Sequence, residues 1–171
     1  MKMETNYISC VDNVAGLKTL PDCSIDMTIT SPPYDNLRTY NGFNQWDEVG
    51  TIRELFRVTK DGGVVVWIVN DSTVKGSETG TSFRQALRFM DEGFRLHDTM
   101  IWEKPSFTGT GSLAVRYAPV FEYMFVFSKG KPKTFNPIKD KPNAPRRVKR
   151  LQRWCNNRFI FKSCPDFKDY K

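Results

Sequence analysis

Residues 64–69 read Val-Val-Val-Trp-Ile-Val, six apolar side chains in a row behind Gly62-Gly63. A strand sends alternate side chains to opposite faces, so a strand without a polar position asks for cover on both. That requirement points to a sheet packed against helices, and the flanking segments supply candidates. Thr51 is placed to cap a helix running to Thr59, with Glu54 at the capping-box position and Ile52, Leu55, Phe56 and Thr59 along one side. Lys60-Asp61-Gly62-Gly63 ends it. After a loop at Gly76–Gly80, Ser82–Glu92 is amphipathic, with Phe83, Ala86, Leu87 and Met90 expected inward and Gly93 at the C-terminal cap. Phe94–Glu103 and Val120–Phe127 read as strands separated by a Gly-rich loop.

The N-terminal part repeats the alternation. Tyr7-Ile8-Ser9-Cys10 reads as a short strand, and Val14, Leu17 and Leu20 have helical spacing. Pro21-Asp22-Cys23-Ser24 is a turn, and Ile25–Thr30 is an alternating, β-branched strand. Strands alternating with helices define an α/β fold with helices on a mostly parallel sheet.

The 171 residues suffice for one domain with a real core. No apolar run approaches the roughly 20 residues of a membrane span, and Met1–Asn6 lacks the apolar stretch of a signal peptide. No membrane partner is expected, and the cytoplasm is the expected compartment. Cys10, Cys23, Cys155 and Cys164 form no C-x-x-C pair, and His97 is the single histidine, which argues against structural zinc and against a disulfide scaffold.

Charge is uneven. Residues 131–171 hold 13 Lys or Arg against Asp140, Asp166 and Asp169, a net +10, whereas the whole chain is +7 and residues 1–130 are therefore −3. A basic segment behind a nearly neutral body suits a polyanion. Its densest run contains Arg146, Arg147, Lys149, Arg150 and Arg153, with Trp154, Phe159 and Phe161 interleaved for stacking.

The strand at Ile25–Thr30 runs into Ser31-Pro32-Pro33-Tyr34. Two prolines remove two backbone donors and fix φ near −65°, so the turn is stiff. Ligands of open α/β sheets bind beyond the carboxyl ends of strands, where this turn lies. A flat base with an exocyclic amine fits it. Ser31 Oγ and the Pro32 carbonyl can accept the amine hydrogens, drawing its nitrogen towards tetrahedral geometry and freeing a lone pair otherwise delocalised into the ring. Tyr34 can stack on the base, worth about 1–3 kcal/mol. The bland alternative is a strand terminator.

These residues also carry a resemblance. Asp12, Thr30-Ser31-Pro32-Pro33-Tyr34, Leu55–Gly63, Gly93-Phe94, Ile101–Pro105 and Phe121–Lys129 resemble, in order, the β-group DNA amino-methyltransferases, which modify cytosine N4 or adenine N6. The resemblance covers roughly the first 130 residues. It implies a Rossmann-like S-adenosylmethionine-dependent methyltransferase sheet with helices on both faces. It also implies S-adenosylmethionine as methyl donor, double-stranded DNA as partner and a target nucleotide flipped into the pocket. Ser31, Pro32, Pro33 and Tyr34 would hold the amine and ring. Asp12 would contact the adenine side of the cofactor, or it merely caps the helix after it. Ser at the first position of the tetrad leans to cytosine N4, where Asp would lean to adenine N6.

Residues 1–130 thus read as a partial catalytic core, and 131–171 as the start of a target-contacting region. The Gly-rich cofactor motif that the family carries after its target-recognition region has no match beyond Lys129. The sheet is accordingly expected to be incomplete, as two fragments with open edges, its central strands coming from elsewhere, for example from a second chain. Gly109-Thr110-Gly111-Ser112 lacks the spacing of a dinucleotide loop. Methylation at cytosine C5 is rejected, because it needs a Pro-Cys nucleophile and the chain offers only Cys164-Pro165. An incomplete DNA-binding fragment remains the competing class.

Overall fold

The computed structural model describes residues 6, 8–34, 46–105, 117 and 120–137. All but the last two of these belong to one compact unit, Met1–Phe135. Along the chain, α1 (Asn13–Lys18) leads to β1 (Ile25–Thr30), and α2 (Glu48–Val58) runs without a break into β2 (Thr59–Val69). A small hairpin of β3 (Thr73–Val74) and β4 (Ser77–Glu78) precedes α3 (Thr81–Asp91), and β5 (Arg95–Glu103) and β6 (Phe121–Ser128) follow.

The four longer strands form one sheet in the order β1-β2-β6-β5. β1 pairs in parallel with β2, Thr30 facing Trp67. β6 pairs antiparallel with both β2 and β5, so that Phe125 lies between Trp67 and Thr99. Three strands therefore share a direction and β6 opposes them. The carboxyl ends of β1, β2 and β5 and the start of β6 meet at one end of the sheet.

The core lies on one face of that sheet. Val65, Trp67, Val69, Phe125 and Phe127 meet Ile52 and Leu55 from α2, and Ala86 and Phe89 from α3. The Phe89 ring stacks on Phe127 at 4.2 Å and meets Trp67 edge-on at 4.9 Å. α2 is closed at its C-terminus by Lys129, whose Nζ donates to the carbonyls of Phe56 (2.8 Å) and Thr59 (3.0 Å). A cation there also opposes the negative end of the helix.

Several expectations are corrected. Residues 8–10 form no strand, and Ile8 is fully exposed; with no strand paired to them among the described residues, they join no ladder. The sheet is accordingly one four-stranded piece among the described residues. β2 is buried on one face only. Val64, Val66 and Ile68 on the other are half-buried, because α2 and α3 pack on the same side. α2 starts a turn earlier than Thr51, at Asp47, whose side chain accepts from the Gly50 amide at 2.8 Å. Thr51 donates instead to the Asp47 carbonyl. Lys60–Gly63 belongs to β2 and does not precede it, although Gly62 keeps the positive φ of a turn.

α3 is rotated from its expected orientation. Ser82, Gln85, Ala86 and Phe89 face inward, whereas Phe83, Leu87 and Met90 are about half exposed. The buried polar groups have partners: Gln85 accepts from Trp67 Nε1 at 2.8 Å and donates to Glu48. Ser82 donates its hydroxyl to Asp71 Oδ2 at 2.6 Å and its amide to Asp71 Oδ1 at 2.9 Å. Asp71, just beyond β2, thus replaces the side-chain cap that Gly80 lacks. Asp71→Ala should cost about 1 kcal/mol in urea unfolding, and Asp71→Asn should recover part of it.

Candidate active site

The turn after β1 lies at the carboxyl end of the sheet, as the Pro-Pro pair requires. Ser31 is exposed, Pro32 is buried, and Pro33 and Tyr34 are half-buried. Tyr34 packs its ring against the core cluster and turns its hydroxyl to Ser31 Oγ, 2.7 Å away. The same hydroxyl donates to Glu122 Oε2 at 3.0 Å. Glu122 Oε1 is ion-paired with Lys104 Nζ, and the Glu122 side chain is only 10% exposed. Lys104, the residue after β5, is held by its amide to the Val120 carbonyl at 2.7 Å. Residues just beyond β1 and β5 and one within β6 thus form one chain of polar contacts from an exposed hydroxyl to a nearly buried ion pair.

Of the residues singled out from sequence, Ser31 and Tyr34 are brought together. Asp12 is exposed, caps α1 by accepting from the Ala15 amide at 2.9 Å, and is not a member of this chain. Arg146, Arg147, Lys149, Arg150 and Arg153 lie outside the described residues, as do Gly109–Ser112. Glu122 was missed. Its signal was available, as one carboxylate inside the aromatic run Phe121-Glu122-Tyr123-Met124-Phe125. Lys104 reads from sequence as a surface charge and Trp102 as packing; Lys104 is instead ion-paired with Glu122, and Trp102 is half exposed.

What the corner can do follows from its atoms. It offers an accepting side-chain oxygen at the surface on a stretch whose two prolines donate nothing. It suits a planar ligand that donates hydrogens.

The DNA methylase family model, of the N6/N4 type, matches residues 25–170. The orphan methyltransferase M.BamHII of Bacillus amyloliquefaciens is 59% identical over 127 residues, which are 74% of this chain and 46% of that protein. The solved PvuII DNA methyltransferase, described as cytosine-N4-specific, superposes with a TM-score of 0.58 at 23% identity, covering 72% of this chain and 49% of that one. M1.HpyAVI, solved as a complex with SAM, gives a TM-score of 0.55 at 20% identity over 80% of this chain and 60% of that one. These likenesses show a Rossmann-like methyltransferase fold. The chain spans about half the length of the curated relatives it matches, 46% and 47% of the first two. On the family match and the identity to M.BamHII together, the chain belongs to the N6/N4 DNA methylase family.

Proposed function

We propose that this chain forms the target-amine side of a DNA methyltransferase that moves a methyl group from S-adenosylmethionine to cytosine N4. The carrying observation is the exposed Ser31 hydroxyl at the carboxyl end of β1, anchored through Tyr34 to Glu122. Ser31 Oγ and the Pro32 carbonyl take the two amine hydrogens of a flipped base, so that its nitrogen lone pair leaves conjugation. Tyr34 and the two prolines keep those acceptors in place before the base arrives. Ser at the head of the tetrad favours cytosine N4 over adenine N6. The basic segment at 131–171, with Arg146, Arg147, Lys149, Arg150 and Arg153, contacts duplex phosphates. A cytoplasmic setting belongs to the same proposal; among the described residues no helix is long and apolar enough to cross a membrane.

The cofactor reading is tested by Asp12. It is exposed and spends Oδ1 on the Ala15 amide, which leaves Oδ2 to accept from an adenosine hydroxyl or amine. That fits the donor, although one carboxylate is a small share of such a site. S-adenosylmethionine would supply an electrophilic methyl group on a sulfonium.

A second reading has its own observation. Among the described residues β1 lies at the edge of the sheet, with Met27 50% and Ile29 61% exposed. A methyltransferase whose remaining strands come from further polypeptide would pair there, and the chain alone would then be an incomplete fragment. The deciding experiment incubates the chain with unmethylated duplex DNA and labelled S-adenosylmethionine, followed by nucleoside mass spectrometry. N4-methylcytosine is the expected product. N6-methyladenine would overturn the choice of base. Neither product, together with no heat on titrating the donor, would favour the fragment.

A further inference from the structure

Tyr34 has one hydroxyl proton, and its oxygen lies within hydrogen-bond distance of both Ser31 Oγ and Glu122 Oε2. Glu122, paired with Lys104, accepts at both carboxylate oxygens, one towards Lys104 and the other towards Tyr34. The phenol proton must therefore lie on the Glu122 side. Turned the other way, the phenol oxygen would set its lone pairs against a carboxylate 3.0 Å away. With that proton spent, the 2.7 Å contact between Ser31 and Tyr34 requires Ser31 to donate. Ser31 also has one proton, so its oxygen presents only lone pairs outward.

We propose that Glu122 is a positioning residue that fixes the polarity of Ser31, turning an ambivalent hydroxyl into a pure acceptor that selects an amino base over an oxo base. The inference rests on the reading of Ser31 as the amine-holding residue. A free serine hydroxyl can rotate to donate to a ring carbonyl or accept from a ring amine. Lys104 holds Glu122, Glu122 takes the proton of Tyr34, Tyr34 takes the proton of Ser31, and the rotation is lost. Pro32 and Pro33 add no donor that could welcome an oxygen. In this respect Ser31 becomes the polar equivalent of a carboxylate at that position, without carrying a charge.

The test uses Glu122→Gln and Tyr34→Phe in the whole chain. Gln matches Glu in size, but its Nε2 can donate to the phenol oxygen. The Tyr34 proton then turns to Ser31, and the Ser31 proton turns outward. Tyr34→Phe keeps the ring and only releases Ser31 to rotate. In methyl transfer, Glu122→Gln should lower the turnover number about 30-fold with the KM for DNA changed less than about threefold, and Tyr34→Phe should lose only about tenfold. That order is the signature of reversed polarity, because a purely structural role would make loss of the phenol at least as harmful. Equal losses, or a larger loss in Tyr34→Phe, would overturn the proposal.

A second measurement does not need turnover. With 3-fluorotyrosine at position 34, the ¹⁹F resonance is followed while cytidine or uridine, which carry an amine or an oxo group at C4 beside a bare or a protonated N3, is added at millimolar concentration. Cytidine should move the resonance and uridine should not. In Glu122→Gln the half-saturating cytidine concentration should rise about tenfold, while uridine gains an effect. Equal responses in the unaltered chain, an unaltered preference in the variant, or no response to either nucleoside would each overturn the polarity argument. If the unaltered chain makes no methylated product but passes this test, the activity reading fails and the role of Glu122 stands.

Discussion

Phe89→Ala should destabilise the chain by about 3–5 kcal/mol, the range for deleting a fully buried aromatic ring. Phe89 has no exposed surface. It stacks on Phe127 at 4.2 Å, meets Trp67 at 4.9 Å and lies 5.4 Å from Phe94. Trp67 is held away from the gap by its indole bond to Gln85. Leu87→Ala, two residues earlier on the same helix, should cost less than about 1 kcal/mol, because Leu87 is 59% exposed. Urea unfolding of the two variants decides between the orientation of α3 described above and the one expected from its hydrophobic spacing. Equal losses would mean that the helix is turned towards Leu87.

Arg57→Ala should cost about 2–3 kcal/mol by loss of charged hydrogen bonds and of the partners it leaves unmet. Its guanidinium donates to the Leu17 and Leu20 carbonyls at 2.9 Å each, to Asp22 Oδ1 at 2.5 Å and to Glu54 Oε2 at 2.8 Å. It therefore joins the end of α1 and the turn before β1 to the last turn of α2. Glu54 is only 12% exposed on its side chain, and in the variant it would keep a poorly hydrated charge. Arg57→Lys should recover less than half of the loss, because a single ammonium cannot span four acceptors in a fork. The Arg57 pKa is raised, first by the hydrogen bond to Asp22 and then by that to Glu54. A raised basic group contributes fully below its unfolded pKa and loses that contribution only above it. The guanidinium's own share should accordingly stay flat from about pH 6 to 9 in thermal melts.

Much of the architecture was legible because local pattern and tertiary demand coincide. Ile25–Thr30 alternates, is β-branched and ends in two prolines, and β1 has those bounds. β5 and β6 agree with their expected strands to within a residue at each end. The face of α3 was not legible, because it buries Ser82 and Gln85, whose partners are Asp71, just beyond β2, and Trp67, within it. A hydrophobic count assigns such residues to solvent. The start of α2 was hidden for a different reason: Asp47 and Thr51 are both good capping residues, and only the bond from Gly50 to Asp47 chooses between them. In the site, the Pro-Pro corner announced itself through backbone chemistry alone. Its link to Glu122 spans 88 positions in the chain, and periodicity carries no information at that range.

The Ser31 corner hangs from β1, and among the described residues β1 is the outermost rung of the sheet. A rung bonded on one side frays sooner than its inner neighbour, so the position of the Ser31 oxygen is averaged over whatever breathing that edge permits. A strand annealed along β1 would damp this breathing and sharpen the grip without touching a single atom of the corner. The tempo of the clamp is thus open to adjustment by backbone pairing alone.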